Sequence, residues 1–168
     1  DFAGDDRYVV EYLISEVMDC QPAHIQDFMR KTAALDRFTA ALCDAVTGQE
    51  NGRDALAYLQ RANLFTVPLD NKGEWYRYHH LFADLLRRRL REDSNVAQGE
   101  KRNHIAELHL RASKWFETNN LLLEAFDHAV AARDIDRAAC LMEGKGMPLQ
   151  YRGAAAPILH WLKSLPEE

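Results

Sequence analysis

The stretch LFTVPLDNKGEWYRY, residues 64–78, decides the fold class of this chain. Residues 64–69 are rich in β-branched and aromatic side chains, residues 70–73 (DNKG) carry a turn signal, and residues 75–78 form a second alternating run. Two such runs joined by a loop that contains glycine predict a β-hairpin. Because an isolated hairpin is only marginally stable in water, we expect this one to lie against the helices that precede it.

Four short helical segments precede the hairpin. Apolar residues at three- and four-residue spacing predict a first helix that ends near residue 20, because Pro22 lacks an amide that a continuing helix needs. Three further segments with the same kind of spacing end near residues 35, 48 and 63. Asp36 and Asn51 are suited to cap the helices that follow them, and Gly48 is suited to end one.

The order of these segments, three helices followed by a hairpin, predicts a winged helix over about Pro22 to Tyr78. A further helix, roughly His80 to Arg91, follows the hairpin, and the polar, turn-rich residues 92–99 mark a domain boundary. The predicted division is therefore a linking helix (1–21), a winged-helix domain (22–95) and a second helical region (96–168).

The second helical region has the pattern of paired helices. Periodicity resumes near Asn103, with breaks at residues 119–120, 133–134 and 144–148. Alanines on the apolar faces allow close approach of helix axes, and successive pairs are spaced by roughly 34 to 40 residues, in the tetratricopeptide range. The expected fold class is mainly α, a winged helix followed by antiparallel helical hairpins of the tetratricopeptide-like type. Because so few repeats cannot close a solenoid, and the chain starts at Asp1, we expect a longer parent polypeptide.

The composition is that of an ordinary globular protein. The 168 residues are 47% hydrophobic and 28% charged, which excludes a disordered chain. The net charge of -5 argues against a dedicated nucleic-acid binder. No apolar run is long enough to span a bilayer and no signal peptide is visible, so we expect a cytoplasmic protein without a membrane partner.

The cysteines indicate neither a disulfide framework nor a zinc site. Cys20, Cys43 and Cys140 are odd in number and far apart in the chain. We expect all three to be reduced and mostly buried.

No motif supports an independent enzyme. The chain has no GxxxxGK[ST] loop, no HExxH, no GxSxG and no paired-cysteine site, so we assign no catalytic residue and no metal ligand. His104 and His109 are five residues apart and are expected on different helix faces, which disfavours a metal pair. His24, His128 and His160 stand singly on helical segments, where a packing or surface role is the usual one.

The arginine run of residues 87–89, followed by Arg91, could bind phosphates or could be structural. Three consecutive helical positions span about 200° of the helix circumference, so these side chains fan out instead of forming one stripe. The run also lies at the predicted end of its helix, where cations suit the negative end of the dipole. We therefore expect an exposed, structural role.

His79 and His80 lie where the second strand of the hairpin meets the next helix. Helix starts are natural anion sites, and a side chain at such a junction projects from a rigid scaffold. The chemistry alone leaves open whether either histidine binds a ligand or is satisfied by local hydrogen bonds.

The stretch ALAYLQRANLFTVPLDNKGEWYRYHHLFADLLRRRL resembles the region after the nucleotide-binding domain in large ATP-binding regulators of the LuxR type, the MalT-like branch of the STAND signalling ATPases. FAGDDRYVVEYLISEVM is similar to the helical segment entering that region, LCDAVTG to the middle of the winged helix, and LHLRASKWFETNNLLLEAFDHAVAARDIDRAACLME to the first repeats of the sensor arm. The resemblance covers nearly all of the chain, and the hairpin followed by YRYHHLF is its most specific part.

The resemblance implies that this chain is the regulatory middle of a bacterial transcriptional regulator. Such regulators carry a P-loop ATPase domain upstream and, downstream, a sensor arm for an inducer or regulatory protein and a C-terminal helix-turn-helix that binds DNA. ATP and ADP would then belong to the parent protein, with no cofactor in this chain. More distant STAND relatives have a histidine in an HxxF-like setting that contacts the phosphates of ADP. In HHLF, the resemblance places His79 at that histidine and Phe82 at the aromatic residue, with His80 as the alternative.

Two other functions stay open at this point. One is a DNA-binding winged helix that uses Arg53, Arg61, Lys72 and Arg77 together with the wing. The other is a helical scaffold whose repeats bind a partner peptide, which a groove lined by exposed apolar residues in the second half would favour.

Overall fold

The computed structural model describes residues 12, 15–95, 100–143 and 155–164. The chain divides into two compact units, residues 1–102 and 103–168. Most of the predicted first helix and the predicted break at residues 144–148 lie outside the described residues. The finer division into three parts stays a prediction.

The first unit contains helices and two strands in the predicted order. After a helical stretch at residues 15–19, its elements are α1 (Ala23–Thr32), α2 (Ala40–Thr47), α3 (Gly52–Arg61), β1 (Thr66–Pro68), β2 (Tyr76–Tyr78) and α4 (His80–Asn95). The second unit contains α5 (Glu100–Thr118), which begins just before the boundary, α6 (Leu122–Ala131), α7 (Ile135–Glu143) and α8 (Ala155–Ser164). The predicted fold class, a mainly helical chain with a winged helix, is confirmed.

The hairpin is antiparallel, and it has a third partner that the sequence pattern missed. Thr66 pairs with Tyr78 and Pro68 with Tyr76. Phe38, between α1 and α2, forms an isolated bridge with Tyr76 through two backbone hydrogen bonds of 2.8 and 2.9 Å. The segment before α2 is thereby tied to the hairpin, which anchors the wing to the helices.

The core of the first unit is aromatic where the hairpin meets the helices. The Tyr78 ring lies 4.7 Å from that of Phe38 and 5.5 Å from that of Phe82, between ring centroids. The Tyr78 hydroxyl is 2.7 Å from the Thr32 hydroxyl, and both residues are buried. This burial raises the pKa of Tyr78 above its ordinary range. The second strand is therefore fixed to α1 directly before His79.

The helix caps differ in part from the predicted ones. Gly48 ends α2 with a left-handed φ of 73°, as predicted. Asp36 does not cap α2, because the cap is Thr39, whose hydroxyl accepts a 3.1 Å bond from the Leu42 amide. Asn51 precedes α3 as predicted but makes no capping hydrogen bond with its side chain.

A carboxylate of the preceding helix, α2, accepts a hydrogen bond from a backbone amide at the start of α3. The Asp44 carboxylate accepts a 2.7 Å hydrogen bond from the Gly52 amide. A Cβ atom at Gly52 would lie 2.5 Å from the Ala40 carbonyl oxygen, so only glycine allows α2 and α3 to approach this closely.

The arginine run is not at the end of its helix, and two of its members are not simply exposed. Since α4 continues to Asn95, the predicted match to the helix dipole is wrong. Arg87 donates to the Ala33 carbonyl at 3.1 Å and to the Asp36 carboxylate at 2.6 Å. Arg89 donates to both carboxylate oxygens of Asp19, at 2.6 and 3.0 Å, and lowers the pKa of that carboxyl. These arginines tie α4 to the chain on either side of α1.

The second unit has a compact apolar core lined by small residues. Ala112 of α5, Ala125 and Ala129 of α6 and Ala138 of α7 are fully buried, as close helix packing requires. The Phe126 ring meets the Trp161 ring of α8 edge-on at 5.5 Å. Left-handed residues at 120 and 133 end α5 and α6 near the predicted breaks. The tetratricopeptide-like class of these helices stays a prediction.

The cysteines are free, but only Cys43 is buried, so the expectation of mostly buried thiols is wrong. Cys20 and Cys140 are exposed. Burial raises the pKa of the Cys43 thiol far above its ordinary range.

Among the described residues, no helix is both long and apolar enough to cross a membrane.

Candidate functional site

His79 occupies the junction between β2 and α4, and its backbone is held from both sides. Its amide donates a 2.7 Å hydrogen bond to the Phe65 carbonyl, next to the first strand. Its own carbonyl accepts a 2.9 Å bond from the Ala83 amide, the first bond of α4. His79 therefore stands where an N-cap residue stands, with its backbone fixed by the hairpin and by the helix.

The two histidine rings lie together near the surface. Their centroids are 4.3 Å apart with an angle of 37° between the planes. The His79 side chain is half-buried and that of His80 is exposed. Both rings can therefore reach a ligand outside the first unit, and His79 is the more restricted of the two.

Phe82 anchors the start of α4 in the core. It is 1% exposed and its ring contacts those of Tyr78 and Phe65, at 5.5 and 5.1 Å between centroids. In HHLF the aromatic residue thus packs inward while the histidines remain at the surface. The role of Phe82 is to set the position of the helix start, and it has no access to a ligand.

The electrostatics of this helix start suit an anion. The first turn of α4 has no acidic residue. A helix N-terminus carries a partial positive charge and free amide donors, and a histidine beside it adds an N–H donor. The contact of His79, or alternatively His80, with a phosphate stays a prediction.

The basic residues of the DNA-binding hypothesis are exposed, but acidic residues lie beside them. Arg53 and Arg61 lie on α3, whose exposed residues also include Asp54. Lys72 and Arg77 lie in the hairpin and its loop, and are exposed. In the same loop, Asp70 and Glu74 are acidic, so neither α3 nor the wing presents an uninterrupted basic surface.

Asp70, one of the two acidic residues of the wing loop, has a structural role. The Asp70 carboxylate accepts hydrogen bonds from the amides of Glu74 and Trp75, both at 3.0 Å. These and other backbone amides of the loop hold the pKa of Asp70 below its ordinary range. The loop that follows β1 is therefore closed around the Asp70 carboxylate, which is negatively charged at neutral pH.

The second unit has an open groove that the scaffold hypothesis anticipates. Its volume is about 740 Å³. It lies between α5 and the turn from α6 to α7, and its lining residues are Ala106, Glu107, Leu110, Ala132, Arg133, Asp134, Ile135 and Asp136. Ile135 is 52% exposed, which is high for an isoleucine.

Two histidines for which the sequence predicts separate, single roles lie within hydrogen-bond distance of each other in the second unit. The Nδ1 atoms of His109 on α5 and His128 on α6 are 2.8 Å apart. Helical periodicity could not reveal this pair, because its members are 19 residues apart on different helices. Within the described ranges, no group of three or more potential metal-ligating side chains occurs.

Three helices, a bridge residue before the second of them and a closing hairpin define the first unit as a winged-helix domain. Residues 14–98 match the family model of the MalT winged helix domain. The chain belongs to this family.

The relatives include a protein that is named a kinase and proteins that are named transcriptional regulators. The chain is 32% identical over 164 residues, 98% of its length, to serine/threonine-protein kinase PknK of Mycobacterium tuberculosis (strain ATCC 25618 / H37Rv). It is 36% identical over 134 residues, 79% of its length, to HTH-type transcriptional regulator MalT of Klebsiella pneumoniae subsp. pneumoniae. It is also 35% identical over 127 residues to MalT of Klebsiella pneumoniae strain 342. The chain spans only 13 to 14% of the length of these relatives.

Proposed function

We propose that this chain is the regulatory middle part of a bacterial ATP-dependent transcriptional regulator of the LuxR type. In this proposal it couples the nucleotide state of an upstream ATPase domain to a sensor arm and to a C-terminal DNA-binding domain. The observation that carries the proposal is the match of residues 14–98 to the MalT winged helix domain. The similarity to proteins named as MalT transcriptional regulators supports the same class.

The similarity to PknK favours a regulatory over a catalytic role for this region. One relative is named a kinase and the others are named transcriptional regulators, yet all are similar to this chain over most of its length. A region shared by proteins with different named outputs is better suited to control an output than to perform it. We therefore propose that the chain has no catalytic activity of its own.

The distribution of charge supports an interdomain role for the winged helix. DNA binding by phosphate contacts needs a basic patch, because the affinity comes mainly from neutralised phosphates. The α3 surface carries Asp54 beside Arg53, and the wing carries Glu74 near Lys72. A surface of mixed sign suits contact with another protein domain better than contact with a polyanion.

For His79 we propose the role of a latch that senses the nucleotide. A donor on one domain that bonds a phosphate held by another domain joins the two only while the matching nucleotide is bound. Exchange of ADP for ATP would remove this contact and shift the population to an open state. Such a contact needs a preorganised donor. The backbone of His79 is fixed by hydrogen bonds, and the first turn of α4 next to it has no acidic residue that would repel a phosphate.

The choice between the two histidines follows from how firmly each is held. His79 is half-buried and bonded through its backbone to Phe65 and Ala83, whereas His80 is exposed in the first turn. A restricted side chain loses less conformational entropy on binding. We therefore propose His79 as the phosphate contact and keep His80 as the alternative.

The test compares alanine variants of the two histidines in the full-length parent protein. His79→Ala should weaken ADP retention, measured as nucleotide released from the purified protein after denaturation, and should raise basal transcription from a reporter. The matched control is His24→Ala, which removes an exposed histidine of α1 in the same unit.

The outcomes separate the alternatives. If His80→Ala and not His79→Ala lowers ADP retention, the latch is the second histidine. If both variants keep the wild-type nucleotide content and basal transcription, the latch proposal is wrong, while the family assignment is unaffected.

A second candidate function, peptide binding, is favoured by the groove of the second unit. Its apolar lining includes Leu110 and the exposed Ile135, and its charged lining residues are Glu107, Asp134, Asp136 and the basic Arg133. The Asp134 carboxylate caps α7 by accepting a hydrogen bond from the Arg137 amide at 2.9 Å, which holds this carboxylate in place in the groove lining. Charge complementarity predicts a peptide with an aliphatic side chain flanked by basic residues.

This candidate can be tested with designed peptides. A lysine-flanked leucine peptide should bind the chain by fluorescence anisotropy, and a glutamate-flanked peptide should not. Ile135→Ser should weaken binding about tenfold, since it removes an apolar anchor without adding a charge that would itself attract the lysines. Leu159→Ser, on the comparably exposed Leu159 of α8, is the control and should bind as the wild type does. Equal binding of both peptides would refute the candidate.

A further inference from the structure

The pair of His109 and His128 places two imidazole nitrogens against each other across two helices. Their Nδ1 atoms are 2.8 Å apart and their ring centroids 5.1 Å apart. Both rings are half-buried, and the ring of Phe116 stacks on that of His128 at 5.3 Å and 19°. The pair therefore sits at the α5–α6 contact, with an aromatic residue on one side.

The distance limits how many hydrogens the pair can carry. A separation of 2.8 Å between two nitrogens is a hydrogen-bond distance, so one Nδ1 donates and the other accepts. The neutral pair satisfies this requirement, and so does a pair with one positive charge. The doubly protonated pair does not, because two N–H groups would point at each other and two positive charges would lie side by side.

We propose that the His109–His128 pair is a proton-operated link between α5 and α6, which holds while one hydrogen is shared between the two Nδ1 atoms and opens when both rings are protonated. Both histidines belong to the second unit, so this link is independent of the proposed latch at His79.

The charged residues near the pair do not change the number of ring hydrogens that the closed pair can carry. On α6, Glu124 lies one turn before His128 on the same face, and Asp127 is exposed beside it. On α5, Glu107 forms an ion pair with Arg111, two residues from His109. On α7, which packs on α6, Arg137 is paired with Glu117 of α5. A carboxylate such as that of Glu124 favours the first positive charge on the pair, and it adds no room for a second Nδ1 hydrogen.

The direction of the pH effect follows from the proton counts. Below about pH 6.5, histidines in an unfolded chain take up their second ring hydrogen, so two separated histidines bind one proton more than the closed pair. The open form therefore gains population as the pH falls. Between pH 7.5 and 5.5, one extra proton raises the opening equilibrium constant about tenfold.

The experiment combines a direct proton count with matched variants in the 168-residue chain. Imidazole ¹⁵N chemical shifts report whether each ring nitrogen carries a hydrogen. From pH 7.5 to 5.5 we expect the closed pair to reach three ring hydrogens and never four. The fourth should appear only together with changes in the backbone amide signals of α5 and α6.

The variants test whether the pair causes the pH dependence. His109→Gln keeps a hydrogen-bonding side chain that can either accept from or donate to His128, so it should flatten the dependence of opening by about one proton. His128→Gln should act in the same way, and His104→Gln, which removes an exposed histidine of α5, should keep the wild-type slope. Four ring hydrogens on the pair at pH 5.5 without a change in α5 or α6 would overturn the proposal. So would a wild-type slope in both pair variants.

Discussion

Removing either hydroxyl of the Thr32–Tyr78 pair should destabilise the first unit, but by different amounts. Tyr78→Phe leaves the Thr32 hydroxyl donating to the Phe28 carbonyl at 2.8 Å, so the cost is that of one hydrogen bond, about 1 kcal/mol. Thr32→Val leaves the fully buried Tyr78 hydroxyl without its described partner, which costs about 2 kcal/mol. The double variant has no stranded hydroxyl and should be more stable than Thr32→Val alone.

The assay is a urea titration of the chain, followed through amide NMR signals of α1 and β2 so that the first unit is observed separately. The free energies of unfolding of the four proteins form a double-mutant cycle. We expect a favourable interaction between the two substitutions of about 1 kcal/mol or more. If Thr32→Val costs less than Tyr78→Phe, or if the two costs simply add, the hydrogen bond does not hold β2 to α1 as described.

Three further predictions concern ligands and pH. The isolated chain lacks a P-loop, so calorimetry should detect no ADP binding at micromolar concentrations, and a micromolar Kd would contradict the proposed division of roles. Binding of the chain to duplex DNA should be weak, with a slope against salt that Arg53→Ala and Arg61→Ala leave unchanged; a steep, arginine-dependent slope would restore the DNA-binding alternative. Asp19→Asn should lower the free energy of unfolding by only a few tenths of a kcal/mol at pH 7, because the Asp19 side chain in the ion pair with Arg89 is more than half exposed to solvent. Since the folded-state pKa of Asp19 is lowered, this contribution is fully present above the unfolded-state pKa of about 4 and is lost as the pH falls through the folded-state pKa, so the difference in stability between the variant and the wild type should shrink as the pH falls below about 4.

The winged helix could be predicted from sequence because its signals are local. A β-branched run, a glycine-containing turn and an alternating run lie within residues 64–78, and the strands form there. The bridge of Phe38 to Tyr76 was missed because a single paired residue leaves no alternating run. The sequence favours Asp36 as the cap of α2 because aspartate is a good cap, whereas the observed cap is Thr39, which lies next to the first helical residue.

The arginine run shows the limit of reasoning from one helix. Arg87 meets Asp36 across 51 residues of sequence, and Arg89 meets Asp19 across 70. A helical projection describes how side chains fan out, but it cannot show what each side chain finds on a neighbouring element. The same limit applies to the pair of His109 and His128, which comes from two different helices.

The position of the candidate latch follows from two independent constraints that meet at one residue. The hairpin places His79 by a hydrogen bond from its amide to Phe65, and the core places α4 through Phe82, three residues later. If His79 contacts a nucleotide held by another domain, the position of His79 must be set within the first unit, and both constraints lie within that unit.

Phe82→Ala should therefore affect the latch only through the position of the helix, and it should lower the free energy of unfolding by about 3 to 5 kcal/mol, as expected for an aromatic core residue. His79→Ala should leave the stability of the chain within about 0.5 kcal/mol of the wild type, since its bonds to Phe65 and Ala83 are made by the backbone. A large loss of stability in His79→Ala would indicate that the ring is a packing element and would remove the case for a latch.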